Sequence, residues 1–511
     1  MSTPTATEAR LVDTGARTWT PKHETFRDRP LRALWDLHNP LEGSPLDQYN
    51  AATRALLKLV RDAQQQGVAV RALGGGWSFT EAPLTDGWML NTKWMNLYFN
   101  NVSTLVHPSY TGDRAGLRFA QCGCSMQELN IALKRENRSL RTMGASNGQT
   151  IAGAMSTGTH GAAIDVGAIP DYVVGLHVVA GPGRHVWLER ASRPVMKDDF
   201  GQRLGVTQVV RDDAIFEAAL VSFGSFGLIH GVMFETDPVF LLEMYRRHMP
   251  LDAGLRHALN TLDFSQLQLP RGAERPYHFQ VVVNPYALAR GVHVTTMYRR
   301  PFNPGYTPPP DVFGGFGPGD DAIAFVGTIT DSVPGLIPAV ATTILAQAYK
   351  DIEKVTGTIG EIFSNTTTRG RAASTAIGLP LERATEVMEL ALELNRAQGP
   401  FASLVAFRFV KATRATLGWQ RFGPATCILE LDAPLSDRTL KLYRLMWQAL
   451  VDRGIPHTFH WGKQHALDDA GVRRAYGPAR DRWIDARHRL LDPASRATFS
   501  NAYLQRLGLA A

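Results

Sequence analysis

The 511-residue chain has three cysteines, Cys122, Cys124 and Cys427. An odd, low count in a chain of this length excludes a disulfide framework and points to a reducing, cytoplasmic compartment. Cys122 and Cys124 are spaced C-x-C, not C-x-x-C; on a strand they share one face and read as core. No apolar run is clean enough to span a membrane. The longest window, about 322–346, is broken by Asp331, Pro334 and Pro338, so it reads as a buried helix or an apolar lid, and no stable membrane insertion is expected. Residues Met1–Arg10 lack an apolar segment, so no secretory signal is expected. There is no low-complexity tract and no block of one charge. Lys and Arg number 54 against 47 Asp and Glu, a net +7 spread along the chain. The densest basic stretch, Arg473–Arg489, also holds Asp481 and Asp485 and reads as a solvated helix face, so no nucleic-acid partner is expected. His457, His460 and His465 do not share a helix face and have no acidic companion, so no metal is expected.

What is present is length, ordinary globular composition and a clear alternation of elements. The chain is long enough for two or more domains with sizeable cores. Residues 1–25 read as a flexible N-terminus. An amphipathic helix over Asp47–Gln66 ends at Gly67, and the strand Val68–Leu73 follows. Leu117–Cys122 reads as a strand, and Ser125 with Glu128 forms a capping box for a helix over Met126–Glu136. Strands at 171–179 and 183–188 precede a helix at 213–221, a turn at 223–231 and a strand at 232–236. After Pro238 the composition changes. Strands at 277–284 and 292–298, a Pro- and Gly-rich loop at 301–321, a helix at 381–398, strands at 404–410 and 425–431 and a helix at 435–453 make a second α+β unit. From 455 onward the chain is too short for its own core and is expected to return to the first domain. The boundaries are therefore 1–25, 26–238, 239–454 and 455–511.

Two glycine-dense stretches stand out: Arg71-Ala-Leu-Gly-Gly-Gly-Trp-Ser-Phe-Thr80, and Gly144 to Gly161. Both leave backbone N–H groups bare, a surface suited to a pyrophosphate and a flat ring system. Together they suggest a flavin nucleotide and hence redox chemistry. The first is not a Rossmann fingerprint, because the third glycine of G-x-G-x-x-G falls on Phe79. There is no G-x-x-x-x-G-K-[ST] either. The second stretch alternates glycines with Ala, Ser and Thr, whose hydroxyls add hydrogen bonds.

In sequence, R-x-x-G-x-G-x-S, then T-I-A-G-x-x-x-T-G-T-H-G, then G-S-F-G-L-I, then His460-Trp-Gly-Lys463 and Phe499-Ser-Asn-Ala-Tyr-Leu504 resemble the vanillyl-alcohol oxidase and p-cresol methylhydroxylase family. The sugar-lactone and alditol oxidase branch looks closest. The resemblance covers about 30–240 and 455–505 with specific motifs. It implies an α+β fold: a two-subdomain FAD-binding domain with an α+β substrate (cap) domain over the flavin ring. It implies that Leu73, Gly74, Gly75, Gly76, Trp77 and Ser78 hold the pyrophosphate region. It also implies that Gly144, Ser146, Gly148, Ile151, Gly153, Ala154, Ser156, Thr157, Gly158, His160 and Gly161 line the cofactor, with Ile229 at the adenine half and Asn501 in the closing motif. Many relatives carry a flavin-linking histidine where this chain has Trp77, so FAD is expected to be non-covalent, with His160 as the other conceivable attachment point.

The chemistry expected is removal of a hydride from a CH–OH carbon, with the electrons passed on to oxygen or another acceptor. That needs a base or hydrogen-bond acceptor for the hydroxyl proton and a cation near the reduced ring, for which His460 and Lys463 are the candidates. Arg408 matches the arginine of an E-x-R pair whose glutamate position is Ala406. Glu430 on the neighbouring strand is a candidate substitute, with strand alternation leaving open which face it takes. Gln280, and more weakly Glu361, are further candidates. The substrate is expected to be a small molecule, a sugar, lactone or alcohol, or a lipophilic metabolite if Ala406, Leu431 and the 334–346 window make the pocket apolar. Two alternatives stand beside this reading: a serine hydrolase using Ser146 of Gly144-Ala-Ser-Asn-Gly148, which would need a strand before the serine and a helix after it, and a flavin-binding protein without catalysis.

Overall fold

The computed structural model describes residues 6–309, 333–364 and 371–510. Its N-terminal half is built on two sheets. In the smaller one, Val70–Leu73 and Ala33–His38 flank Trp88–Asn91 in parallel, and Arg10–Asp13 adds antiparallel at the edge. The helix Pro45–Gln65 joins two of these strands. It starts on a capping box between Ser44 and Asp47; of the apolar stripe Leu56, Leu57, Leu59 and Val60 that its sequence suggests, Leu57 stays half-buried and Ala63 is buried instead. The larger sheet has six strands, with Val173–Gly181 and Leu228–Glu235 at its centre, both buried along their whole length.

The N-terminus is ordered earlier than expected. Arg10–Asp13 pairs with Ala33–His38, and Trp19 joins Leu31, Leu73 and Met89 in a small core. A buried tryptophan and a free sheet edge give this segment something to gain by docking, which its polar composition concealed.

The cap is one eight-stranded antiparallel sheet. It runs Ile352–Gly357, Phe240–Met249, Val292–Pro301, His278–Val283, Leu404–Lys411, Ala425–Pro434, Ala372–Pro380 and Thr458–Phe459. Its last strand comes from the C-terminal segment, so that segment first completes the cap. Only afterwards does it return to the first domain, where Trp483 on the helix Pro478–Leu490 donates to the carbonyl of Val221 (3.0 Å). Helices Ala384–Gln398 and Asp437–Asp452 pack against each other beside the sheet. The 322–346 window lies partly outside the described residues; its described end falls in the helix Ile337–Ala348. Among the described residues no helix is long and apolar enough to cross a membrane. Cys122, Cys124 and Cys427 are free and buried.

Candidate active site

A cleft with about 1350 Å³ of open space runs between the two glycine stretches and the cap sheet. Its first wall is backbone. The strand Val70–Leu73 delivers the chain to Gly74, where a Cβ would lie 2.3 Å from Thr150 Oγ1; at Gly75 it would lie 2.5 Å from the carbonyl oxygen of Gly148. The two stretches therefore pack directly on one another, and glycine is required for that contact as much as for any ligand. Gly76 turns the chain at φ 74°. Among the described residues the N–H groups of Gly74, Gly75, Gly76, Trp77 and Ser78 donate to no protein acceptor. Trp77 Nε1 and Gln149 Oε1, both on residues of the cleft wall, are buried without a partner. Five consecutive free donors and two orphaned polar atoms fit the anionic linkage and polar edges of FAD.

Arg71 holds this wall in place. It is 1% exposed, and its guanidinium donates to the carbonyls of Phe499 (2.7 Å), Ala82 (2.7 Å), Gly224 (3.1 Å) and Phe223. Burial pulls it down to about 9. One side chain thus joins the first loop, the 223–227 turn and the C-terminal segment. In the sequence Arg71 stands only as the first residue of a motif; a lone arginine inside an apolar strand is the signal that marks it.

Leu73, Gly74, Gly75, Gly76, Trp77 and Ser78 all line the cleft. So do Gly144, Ser146, Gly153, Ala154, Ser156, Thr157, His160 and Ile229. Five expected contacts do not. Gly148 backs the Trp77 ring, which a Cβ there would meet at 2.6 Å. Ile151 is fully buried at the start of the helix Ile151–Ser156, an element the glycine content had hidden. The Gly158 carbonyl accepts from Trp419 Nε1 (2.8 Å) and Gln420 Nε2 (2.6 Å). A Cβ on Gly161 would strike Thr142 Oγ1 at 2.4 Å. Asn501 caps a helix through Leu504 N–H and donates to the carbonyls of Ala82 (3.0 Å) and Leu84 (2.8 Å). These residues support the wall from behind. The strand–turn–helix elbow that a Ser146 nucleophile needs is also missing, since the nearest helix begins at Ile151.

The opposite wall is made of charges. Arg408 Nε lies 2.9 Å from Glu430 Oε2, and Lys463 Nζ donates to Glu430 Oε1 at 3.0 Å. Register explains the arrangement. Glu430 sits directly across from Ala406 in the antiparallel pair, so it shares the face of positions 406 and 408. The carboxylate missing from the E-x-R position is thus supplied by the adjacent strand, and the concern that alternation turns it away does not hold. Lys463 arrives because the C-terminal segment is tied to both walls. His460 N–H donates to the Ala376 carbonyl (3.0 Å), Phe79 N–H to Gly462 (2.8 Å) and the Thr80 hydroxyl to Trp461 (3.0 Å). Asp432, two residues beyond Glu430 on the same face, lies 3.5 Å from Lys463 Nζ and accepts from the Ser374 hydroxyl. Asp432 and Ser374 were not foreseen; the i, i+2 spacing from Glu430 was the sign. Burial pushes the Glu430 carboxyl up, but the charges of Arg408 and Lys463 outweigh it and hold it well below the usual range.

Two histidines complete the site, and the backbone sets their tautomers. His160 Nδ1 lies 2.7 Å from the Gly161 carbonyl, which can only accept, so Nδ1 carries the proton. Gly462 N–H donates to His460 Nδ1 at 2.9 Å, so in His460 the proton sits on Nε2. His460 is therefore a donor and not the base or acceptor expected of it. Burial keeps both rings neutral, pulling His160 down to about 4 and His460 further below its ordinary value.

Gln280 pairs with Arg408 across the sheet but lies outside the cleft; its amide is buried and unpartnered among the described residues. Glu361 binds Lys134 (2.6 Å) and Tyr306 (2.8 Å) and caps a short helix, away from the cleft. Leu431 is fully buried next to Glu430 in the strand, on its opposite face. Ala406 is covered by Val282, Leu345, Tyr349 and Leu404, so neither residue makes the cleft apolar. His457 and His465 are engaged elsewhere, with the Ile455 carbonyl (2.8 Å) and the Tyr503 hydroxyl (2.9 Å). Among the described residues no cluster is arranged to hold a metal ion.

Two family models match the chain. Residues 51–189 match the FAD binding domain family, and residues 268–507 match the D-arabinono-1,4-lactone oxidase family. An L-gulono-1,4-lactone dehydrogenase of Mycobacterium tuberculosis is 24% identical over 466 residues, covering 88% of this chain and 93% of that protein. A putative D-arabinono-1,4-lactone oxidase of Neurospora crassa is 30% identical over 185 residues, 36% of this chain and 28% of its own length. The crystal structure of cholesterol oxidase from B. sterolicum superposes with a TM-score of 0.68 over 98% of this chain and 97% of that one, at 15% identity, a likeness of fold.

Proposed function

We propose, for a chain that belongs to the vanillyl-alcohol oxidase and p-cresol methylhydroxylase family and is an FAD-dependent oxidoreductase of its sugar-lactone branch, that it oxidises a secondary CH–OH group of a sugar lactone or similar polyhydroxylated small molecule. The observation that carries this is the Arg408–Glu430–Lys463 cluster on the cap face of the cleft, buried and facing two neutral histidines. Such a wall suits a substrate rich in hydroxyls and offers little to a lipophilic one, since buried charges need hydrogen-bonding partners. The relative that matches along most of the chain is named for a lactone dehydrogenase, which supports the same class.

Bound FAD supplies the two-electron oxidant for the C–H bond. The free N–H groups of Gly74–Ser78 would hold its diphosphate, and Trp77 offers no nucleophile for a covalent link. The cofactor is therefore non-covalent, and acid precipitation leaves yellow supernatant and a colourless pellet; a yellow pellet overturns this. Arg408 and Lys463 would orient the substrate oxygens, and the Lys463 ammonium would supply positive charge to stabilise a reduced cofactor. The electrons leave to oxygen or another acceptor, and three buried free thiols favour residence in the cytoplasm. The deciding experiment is anaerobic mixing of holoprotein with aldono-1,4-lactones, alditols and sterols. Bleaching by lactones supports the reading, and bleaching by sterols alone sinks it.

A further inference from the structure

On His160 the cleft holds a ring nitrogen with a fixed lone pair. His160 Nδ1–H is committed to the Gly161 carbonyl, so Nε2 is unprotonated. The side chain is 3% exposed, lines the cleft, and places Nε2 3.8 Å from Glu430 Oε1. Each other polar group of that wall is disqualified as a proton acceptor. Arg408 and Lys463 are cations. Glu430 is already bound to both of them, at 2.9 and 3.0 Å. His460 has its Nδ1 lone pair occupied by Gly462 N–H. Trp419, edge-on to His160 with ring centroids 5.0 Å apart, is only a donor and gives its N–H to Gly158.

We propose that His160 is the general base of the reaction: Nε2 takes the proton of the substrate hydroxyl, and Glu430 steadies the imidazolium that results. This rests on the oxidoreductase reading. The O–H bond breaks as the N–H bond forms at Nε2. The carbon–oxygen bond becomes double as the C–H hydrogen departs with its electron pair to FAD, the oxidant. The imidazolium proton passes to solvent when the electrons are handed on, which restores the neutral ring. His460, 6.0 Å away between ring centroids and holding its proton on Nε2, is the complementary donor of the site. The His–carboxylate pair follows the usual logic of such bases, in which one nitrogen is pinned by the backbone and the charge is met by an anion. The groups facing the ring are Glu430, which favours the imidazolium, and Arg408, Lys463 and His460, which oppose it.

The test uses the FAD-loaded enzyme in two parts. Nitrogen-15 spectra of the wild-type imidazoles are expected to find the His160 proton on Nδ1 and the His460 proton on Nε2, whatever the substrate. A His160 proton on Nε2, or a flavin adduct on His160 by mass spectrometry, overturns the proposal. Anaerobic flavin reduction by a lactone donor is expected to slow by about 10²- to 10⁴-fold in His160→Gln, with the donor's Kd little changed. The wild-type rate is expected to fall at acid pH, with a midpoint below the usual histidine range, and His160→Gln is expected to lose that limb. A variant within about threefold of wild type, or one that keeps the acid limb, overturns it. If no lactone reduces wild type, the substrate reading fails by itself, and the tautomers still decide the role of His160.

Discussion

The two walls of the cleft present polar groups to it by opposite means. The flavin-side wall is a run of backbone N–H groups presented by glycines. The cap-side wall is a knot of side chains drawn from two neighbouring strands and a distant C-terminal segment. A backbone wall is indifferent to most side chains but fails when a Cβ intrudes or its anchor is lost. A side-chain wall survives changes in shape and fails when its charges no longer balance. The two walls should therefore break differently.

The largest effect is expected from Arg71→Met. It removes a donor from four carbonyls and leaves the buried ones of Phe499 and Phe223 stripped of it, at about 1–3 kcal/mol each, whereas Ala82 keeps Asn501. Little folded, FAD-loaded protein should be recovered, as judged by flavin absorbance and thermal melting. Glu430→Gln comes next, because it leaves Arg408 and Lys463 as buried cations with one fewer anion; a loss of about 3 kcal/mol is expected in urea unfolding. Ala406→Glu combined with Glu430→Ala returns a carboxylate to the same face from the partner strand. It should be clearly more stable than Glu430→Ala alone, and equal stability would show that register does not explain the cluster.

Acid separates the contributions further. His230, pulled down to about 3 by burial, and His177, also lowered, lie in a buried network beneath the flavin-side domain that includes Tyr49 and Gln121. A histidine with a lowered folded value contributes stability that is fully present above about pH 6.5 and is lost as pH falls below it. Glu430, lowered as well, begins to lose its contribution only below about pH 4.5. Stability should therefore decline with acid before the charged cluster is touched. His230→Gln should flatten that slope by about 1.4 kcal/mol per pH unit between pH 6 and 4.5, measured by urea titration. The smallest effect is expected for Gly76→Ala, about 1 kcal/mol for a residue held at φ 74° whose added Cβ would make only an ordinary contact, with Lys22 Cγ at 3.8 Å. FAD affinity should hardly change, whereas Gly75→Ala, which meets Gly148, should weaken it measurably.

The backbone wall was readable in the sequence because its information is local. Strand, glycines and polar continuation follow within ten residues, and the resulting N–H display needs no distant partner. The capping boxes at Ser44 and Ser125 were legible for the same reason. The helix Ile151–Ser156 was missed because two small residues and a glycine mask its period, and its start is set by the Thr150 cap. The failures on the other wall have a different origin. Gln280 and Glu430 both lie on strands beside Arg408, and composition alone does not say which of them reaches the cleft.

From the sequence alone followed the α+β fold, the FAD-dependent oxidoreductase class, the absence of a nucleophile at Trp77 and the choice of Lys463 and Arg408 as candidates, both of which line the cleft. Each depends on residue type and short spacing. Only the tertiary structure decided that Glu430 stands in for the carboxylate absent at Ala406, that Arg71 pins three segments together, and that His160 offers a lone pair where His460 offers a proton. Those outcomes depend on strand register and on which backbone group meets a ring nitrogen, and both are properties of chain segments hundreds of residues apart brought into contact by packing.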